Sequence, residues 1–220
     1  MKALVTGFEP YAGRGLNPAA EVARAIHALK LDGVEVTGLC LPVSLAESAG
    51  ALIARIEQLQ PDITLCLGLW PGEPMIRLER IALNCADFEI PDGTGRMARN
   101  EPLQQDGPDG LRTTLPLHDV IETLLRHGIP ARLSGTAGTY LCNATLYQLL
   151  AHAQQHRPRM LAGFMHLPYL PSQVAVLLQE IRDAQVLELH QRADLASMEL
   201  ATMLSAVKLT LSTSARRLNP

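Results

Sequence analysis

Apolar runs alternate along the chain with segments in which hydrophobic residues recur at helical spacing. The runs predict strands at residues 2–6, 34–43, 62–69 and 160–167. Residues 62–69 are almost continuously apolar, which is typical of a strand covered on both faces. Helical spacing predicts helices at residues 18–31 and 44–59. The first begins with Asn17 as its N-cap and Pro18 as its first helical residue. This βαβ alternation predicts a three-layer α/β sandwich with a largely parallel or mixed central sheet flanked by helices.

The second half of the chain resumes this pattern after an interruption. Further strands are predicted at residues 75–86 and 131–136, and helices at residues 119–126, after residue 141, at residues 172–184 and from Asp194 to about residue 212. Residues 87–114 are rich in turn formers, and so long an irregular excursion in a compact domain is usually functional or an interface arm. We expect a single domain over residues 1–220, with a frayed tail at residues 214–220.

Composition narrows the class of protein. The 220 residues are 47% hydrophobic and 19% charged, which is typical of a soluble globular protein with a substantial core. A net charge of −3 without a basic cluster argues against nucleic acid and anionic membranes as partners. No apolar run has transmembrane length and the first residues lack a signal-peptide pattern, so we expect a cytoplasmic protein. Four scattered cysteines agree with a reducing compartment.

Residues 138–143 place a thiol between a predicted strand and a predicted helix. The β-like run before them enters a glycine turn, and the apolar positions after Cys142 have helical spacing. A helix N-terminus has unpaired N–H groups and a favourable macrodipole, which lower a thiol pKa and favour the nucleophilic thiolate. On position alone, however, a small inert core cysteine is the preferred interpretation. The other cysteines, in or beside apolar strand runs, are interpreted as core thiols: Cys40, Cys66 and Cys85.

Two further residues could complete a Cys-His-Glu triad. His166 lies at the end of an apolar strand, where α/β folds place their sites, although a core histidine with one satisfied hydrogen bond fits equally well. Glu79 alternates with Leu78 and so faces away from the adjacent apolar side chains, but a solvated carboxylate paired with an arginine is the simpler interpretation. Spacing alone does not establish a triad, because 7 histidines and 4 cysteines allow many pairings.

Two other patterns are weaker. His152 and His156 have the spacing of metal ligands on one helix, but the zincin glutamate is missing and the helix end is polar, so a solvated face is favoured. The glycine-rich loop at residues 8–15 lacks both Gly-Lys-Ser/Thr and GxGxxG, so it is a poor match to a phosphate-binding loop. We therefore expect neither a metal nor a cofactor.

Four segments resemble those of the pyroglutamyl peptidase I (pyrrolidone-carboxylate peptidase) family and occur in the same order. Residues 6–13 (TGFEPYAG) with Asn17 and Pro18 resemble the opening of the family, which usually has Phe in place of Tyr11. The other three resemble the segments that carry the catalytic glutamate, the nucleophile and the histidine: LERIALN at residues 78–84, TAGTYLCN at residues 136–143 and GFMHLPYLP at residues 163–171.

This resemblance implies a cytosolic cysteine peptidase that removes an N-terminal pyroglutamyl residue from peptides. It also implies a phosphorylase/hydrolase-like α/β fold, homotetrameric assembly, and no metal or cofactor. By position, Cys142 would be the nucleophile, His166 the general base and acid, and Glu79 the orienting carboxylate. The substrate-binding residues would be Phe8, Tyr11, Leu69 and Leu141. For Tyr11, ordinary anchoring of the loop in the core is equally consistent.

The sequence departs from the family pattern beside these segments. Many members have glutamine in place of Leu69, Gly-Arg in place of Gly72-Glu73, and asparagine in place of Gly135. Loss of the glutamine removes a candidate hydrogen bond to the substrate lactam, and Glu73 reverses a charge beside the expected site. Two alternatives therefore stay open: a cysteine hydrolase of the same fold with shifted specificity, and a non-catalytic binding or assembly protein that keeps the fold.

Overall fold

A computed structural model describes residues 1–184 and 195–219 of the protein. The strands are β1 (Lys2–Phe8), β2 (Lys30–Leu31), β3 (Val34–Leu41), β4 (Ile63–Leu69), β5 (Ile76–Glu79), β6 (Ile81–Leu83), β7 (Gly110–Arg112), β8 (Ala131–Ser134) and β9 (Leu161–Leu167). The helices are α1 (Pro18–Ile26), α2 (Leu45–Leu59), α3 (Leu117–Arg126), α4 (Leu141–His156), α5 (Pro171–Ala184) and α6 (Leu200–Leu218). None of these helices is both long and apolar enough to cross a membrane.

Seven strands form one mixed sheet in the order β2-β3-β1-β4-β9-β5-β8. Four neighbouring pairs are parallel, whereas β2 pairs with β3 and β5 pairs with β9 in the antiparallel sense. Strands β6 and β7 form a separate antiparallel pair. Two hydrophobic clusters cover the two faces of the large sheet, one formed with α1, α3 and α6 and the other with α2 and α4. The predicted layered α/β fold with a mixed central sheet is confirmed.

Helix α1 starts where the sequence predicts and ends earlier. The side chain of Asn17 accepts a hydrogen bond from the amide of Ala19, which makes it the N-cap, and Pro18 follows as the first helical residue. The helix ends at Ile26 rather than near residue 31, because Ala28 takes a left-handed φ of 63° and residues 30–31 pair with β3. Tertiary pairing here overrides the helical pattern of the sequence.

Two other boundaries differ from the prediction. Residues 75–86 do not form one strand, because the chain turns at Arg80 and sends β5 and β6 into different sheets. Residues 214–218 are helical and do not fray, since Ser214 and Ala215 are buried against the sheet layer. The predicted start of the last helix, Asp194, lies outside the described residues.

Candidate active site

Strand β5 delivers a carboxylate to a histidine on β9. Side chains two apart on a strand share a face, so Arg77 and Glu79 point together to the face opposite Leu78. The antiparallel register sets Arg77 opposite His166. His166 Nδ1 donates a hydrogen bond to Glu79 Oε1 over 2.8 Å, and both side chains are fully buried. The interpretation of Glu79 as a solvated carboxylate is therefore wrong.

The other ring nitrogen of His166 is available for chemistry. Nε2 is buried and has no hydrogen-bond partner among the described residues. The ring packs edge-on against Trp70, with centroids 5.0 Å apart, and at a tilt against Phe164, with centroids 4.8 Å apart. Burial, together with the charge of Arg77, lowers the pKa of His166 in spite of the opposing effect of Glu79. The imidazole is thus oriented at one nitrogen, held by aromatic rings and kept neutral.

Cys142 is the second residue of α4, as the sequence predicts. Its neighbour Asn143 fixes this end of the helix, because its side chain donates to the carbonyls of Leu83 and Cys85 over 2.9 Å and accepts from the amide of Leu83 over 2.8 Å. The first N–H groups of α4 have no acceptor within the helix, and the N–H of Cys142 itself interacts with the thiol. The N-terminal position is therefore suited to stabilising negative charge beside Cys142.

The pKa of Cys142 shifts against the direction that the sequence predicts. Burial, followed by the negative charge of Glu79, raises the pKa of the thiol to about 12, whereas a helix N-terminus alone would lower it. The resting site therefore holds a neutral thiol beside a neutral imidazole. All four cysteines are free, but only Cys66 is buried as a core thiol; Cys40 and Cys85 are half-buried, so the core interpretation is wrong for them.

A cavity of about 350 Å³ opens over the thiol and the imidazole. Its lining includes Cys142, His166 and every residue that the sequence assigns to substrate binding: Phe8, Tyr11, Leu69 and Leu141. Burial raises the pKa of Tyr11 to about 12, so this side chain stays neutral in the wall. Further walls come from residues that the sequence analysis did not single out: Val43, Trp70, Ile90 and Tyr140. The cavity is mostly apolar, with the thiol and imidazole at its reactive end.

The irregular excursion at residues 87–114 supplies one side of this cavity. Thr139, in the turn before the thiol, donates from its hydroxyl to the carbonyl of Asp87 over 2.7 Å. The ring of Tyr140 packs on Phe88 with centroids 4.6 Å apart, and its hydroxyl donates to the carbonyl of Pro91 over 3.1 Å. These contacts hold the excursion against the turn that precedes Cys142.

The three departures from the family pattern lie in different environments. Leu69 lines the cavity, so the wall there is apolar. Glu73 does not line the cavity: it is 3% exposed and forms ion pairs with Arg77 and Arg132. Gly135 is exposed and also lies outside the cavity. The charge reversal at Glu73 is therefore compensated by arginines below the site.

Two residues below the site were missed by sequence reasoning. Gly68 pairs with His166 across β4 and β9, and a Cβ added to it would lie 2.8 Å from Cys142 Sγ. Arg77 donates a hydrogen bond to Glu79 over 3.0 Å. Its position two residues before Glu79 on a predicted strand is a signal that could have placed the two side chains on one face.

His152 and His156 on α4 lack the further ligands that a metal site requires among the residues that the structure describes. His152 Nε2 lies 2.9 Å from Glu57 Oε1, and the rings of His152 and His156 are 4.9 Å apart. Within residues 1–184 and 195–219, no three histidine, cysteine, aspartate or glutamate residues cluster as metal ligands would.

Comparison with known proteins shows the family of this chain. The sequence model of the pyroglutamyl peptidase family matches residues 1–217. The pyrrolidone-carboxylate peptidase of Brevibacillus brevis is 36% identical over 211 residues, covering 96% of this chain and 91% of that protein. That of Pyrococcus furiosus is 38% identical over 174 residues, covering 79% of this chain and 84% of that protein. The structure of a mutant pyrrolidone carboxyl peptidase from Pyrococcus furiosus matches with a TM-score of 0.92 and 33% identity, over 99% of this chain and 100% of that one. This chain belongs to the pyroglutamyl peptidase family.

Proposed function

We propose that the protein is a cysteine peptidase that removes the N-terminal pyroglutamyl residue from peptides, with Cys142, His166 and Glu79 as its catalytic triad. Membership of the family supports the reaction. One observation above all supports the triad: the buried Glu79–His166 hydrogen bond leaves Nε2 unpaired, on a ring that lines the same cavity as the thiol. In such a triad, a base that is oriented by a carboxylate activates the nucleophile.

Because the Cys142 thiol and the His166 imidazole are both neutral before the reaction, the first step has to include transfer of the thiol proton. His166 Nε2 takes the thiol proton while Cys142 Sγ bonds to the pyroglutamyl carbonyl carbon, which places negative charge on the carbonyl oxygen. The N–H groups at the start of α4 are positioned to stabilise that oxyanion, and one such donor commonly lowers a barrier by roughly 2.7–4 kcal/mol. Glu79 stabilises the imidazolium that forms.

The remaining steps return the site to its starting state. The carbon–nitrogen bond breaks, the leaving amine takes the proton from His166 Nε2, and a thioester remains on Cys142. Water then attacks the thioester carbon while Nε2 removes a proton from that water. The carbon–sulfur bond breaks, and the sulfur recovers its proton from the imidazolium as pyroglutamate leaves.

The cavity is suited to the proposed substrate. A pyroglutamyl ring is small and uncharged, so apolar walls can bury it without leaving a charge unpaired. Phe8 and Tyr11 supply aromatic surface, with Leu69 and Leu141 beside them. We assign these four residues to substrate binding.

We further infer a cytoplasmic homotetramer that consists of one peptidase domain per chain and does not bind nucleic acid or membranes. The resemblance to the family supports the assembly and the location. The net charge of −3 supports the absence of an anionic partner. Four free cysteines agree with a reducing compartment.

Hydrolysis of a fluorogenic pyroglutamyl amide tests the proposed function. We expect the wild-type protein to release the fluorophore and Cys142→Ala to release none above the uncatalysed rate. Cys40→Ala is the matched control, because that half-buried thiol lies outside the cavity and its loss leaves the triad intact. Full activity in Cys142→Ala would refute the nucleophile, and an inactive wild-type protein would refute the reaction.

A further inference from the structure

We propose that Arg77 is a positioning residue for the triad and that Glu73 in turn holds Arg77 in place. The inference rests on the proposed function, since it concerns how that triad is kept in order. It concerns a cluster of buried charges below the cavity rather than the residues that meet the substrate.

Arg77 binds the same carboxylate oxygen as the histidine. Its Nε donates to Glu79 Oε1 over 3.0 Å, and that oxygen also accepts from His166 Nδ1 over 2.8 Å. The second oxygen of Glu79 has no hydrogen-bond partner among the described residues. The carboxylate is therefore held through one oxygen by two donors, and removal of Arg77 would leave the histidine as the only donor that fixes it.

The Arg77 guanidinium also contacts residues that hold Cys142 and His166 in place. Its Nη2 donates to Ser134 Oγ over 2.8 Å and to the carbonyl of Thr136 over 2.7 Å, at the start of the turn that leads to the nucleophile. Its Cζ lies 3.7 Å from the ring centroid of Trp70, the aromatic that packs edge-on against His166. Arg77 thus links all three segments on which the triad depends.

Glu73 anchors Arg77 from the opposite side. Glu73 Oε2 lies 3.3 Å from Arg77 Nη1, and both side chains are almost fully buried. Arg132 completes the cluster with hydrogen bonds of 2.9 Å and 2.7 Å to the two oxygens of Glu73. Although burial raises the pKa of Glu73, these arginines hold it below its ordinary value. Two carboxylates and two guanidinium groups balance in charge, with Arg77, Glu73 and Glu79 buried and Arg132 half-exposed at the edge of the cluster.

Arg77 and Glu73 have opposite effects on the pKa of His166. The charged or titratable groups that face His166 are Glu79, Arg77 and Glu73 from the β5 side and Cys142 from α4. Among them, the positive charge of Arg77 lowers the pKa of His166, and the negative charge of Glu73 raises it. Shifts of these two signs in solution would show that both charged groups stand beside His166, which a contribution to folding alone does not require.

Steady-state kinetics test the positioning role. Arg77→Met should lower kcat for the pyroglutamyl amide by about 10- to 100-fold with little change in KM, as loss of a group that orients a reactive side chain commonly does. Arg77→Lys should recover part of kcat. Arg80→Met is the control, because Arg80 directly follows β5 and its side chain is exposed. This variant should keep wild-type kcat. Wild-type kcat in Arg77→Met would overturn the proposal.

Titration of His166 by NMR provides a readout that needs no substrate. In Cys142→Ala protein with ¹³C-labelled histidine, Arg77→Met should raise the pKa of His166 and Glu73→Gln should lower it; loss of the signal in His166→Asn assigns the resonance. Shifts in the same direction, or none, would overturn the proposal.

If wild-type protein did not hydrolyse the amide, the proposed function would fail, while this titration would still decide the role of Arg77. Should Arg77→Met fail to fold, Arg77→Lys and Glu73→Gln carry the test.

Discussion

Gly68 shows how one missing side chain makes room for the thiol of Cys142. A Cβ at this position would lie 2.8 Å from Cys142 Sγ and 2.9 Å from the ring of Phe164. Both atoms belong to side chains that can shift, so we expect Gly68→Ala to fold with a displaced thiol. A displacement of about 1 Å at a reacting group can cost on the order of 100-fold in rate. The expected result is a large loss of kcat/KM in a protein that still folds, with thermal stability lowered by the contact with the buried ring of Phe164.

Gly135→Ala is the matched control for this prediction. Nothing lies within 4 Å of a Cβ at that position, although Gly135 also precedes the nucleophile turn. Assay of both variants on the pyroglutamyl amide should find Gly135→Ala active. Equal activity of the two variants would show that the thiol does not depend on the space above Gly68.

The pH dependence of activity follows from the neutral resting pair. Burial places the pKa of His166 below its ordinary value of 6.5 and that of Cys142 at about 12, above 9.0. Since His166 must be neutral to act as the proposed base, kcat/KM should fall only at pH values below 6.5. The unfolded chain binds a proton to this histidine more readily, so the fold should also lose stability as pH falls below 6.5. It should lose stability again above pH 9.0, where the unfolded thiol ionises first.

A pH series of kcat/KM and of thermal unfolding checks these directions. Ultraviolet absorbance of the thiolate should not appear from Cys142 between neutral pH and pH 9.0, with Cys142→Ala as the reference. A thiolate signal that belongs to Cys142 at neutral pH would contradict the neutral pair and favour a preformed ion pair.

At the residue scale, the sequence could predict the positions of those site residues that lie in local motifs. Cys142 follows strand β8 and His166 lies at the end of β9, each in a distinctive segment, so their positions were predictable from chain order. The pKa of Cys142 was not, because burial and the negative charge of Glu79, which comes from β5, outweigh the local helix terminus. The role of Glu73 was also hidden, since its partner Arg132 is 59 residues away.

At the level of elements, α1 packs unusually close to the sheet. A Cβ at Gly38 on β3 would lie 1.9 Å from the carbonyl oxygen of Ala23, a backbone atom of the helix that cannot easily move. We expect Gly38→Ala to lower the free energy of unfolding by about 1–3 kcal/mol through overpacking. The midpoint of urea unfolding measures this change.

Gly50→Ala in α2 is the control with the opposite expected sign. A Cβ there meets nothing within 4 Å, and alanine in a helix interior is better than glycine by roughly 0.5–1 kcal/mol. The urea midpoint should therefore rise in this variant. A rise in Gly38→Ala as well would contradict the close contact between α1 and β3.

Elements with strong local periodicity were predictable, and their ends were less so. Helix α2 and strand β4 fall within one residue of the prediction, because amphipathic spacing and continuous apolarity are local signals. The break at Arg80 was not predictable, since β6 leaves the sheet to pair with β7 across 27 residues or more of chain. The length of α6 depends on burial of Ser214 and Ala215 against distant residues.

On the scale of the whole molecule, α5 is the least buried of the helices in residues 1–184 and 195–219. None of its residues is buried, although it carries several apolar side chains: Val174, Val176, Leu177, Leu178 and Ile181. Val176 is 54% exposed. In a homo-oligomer, such a helix is suited to the surface between copies, because association would bury its apolar side chains.

The proposed tetramer can be tested through this helix. We expect wild-type protein to behave as a tetramer in size-exclusion chromatography with light scattering, and Val176→Glu to shift it to smaller species, because a buried unpaired carboxylate opposes association. Leu125→Glu on α3 is the matched control, since Leu125 is also 54% exposed but lies on another helix. Val176→Glu that remains tetrameric would exclude this face of α5 from the assembly, and a monomeric wild type would refute the tetramer itself.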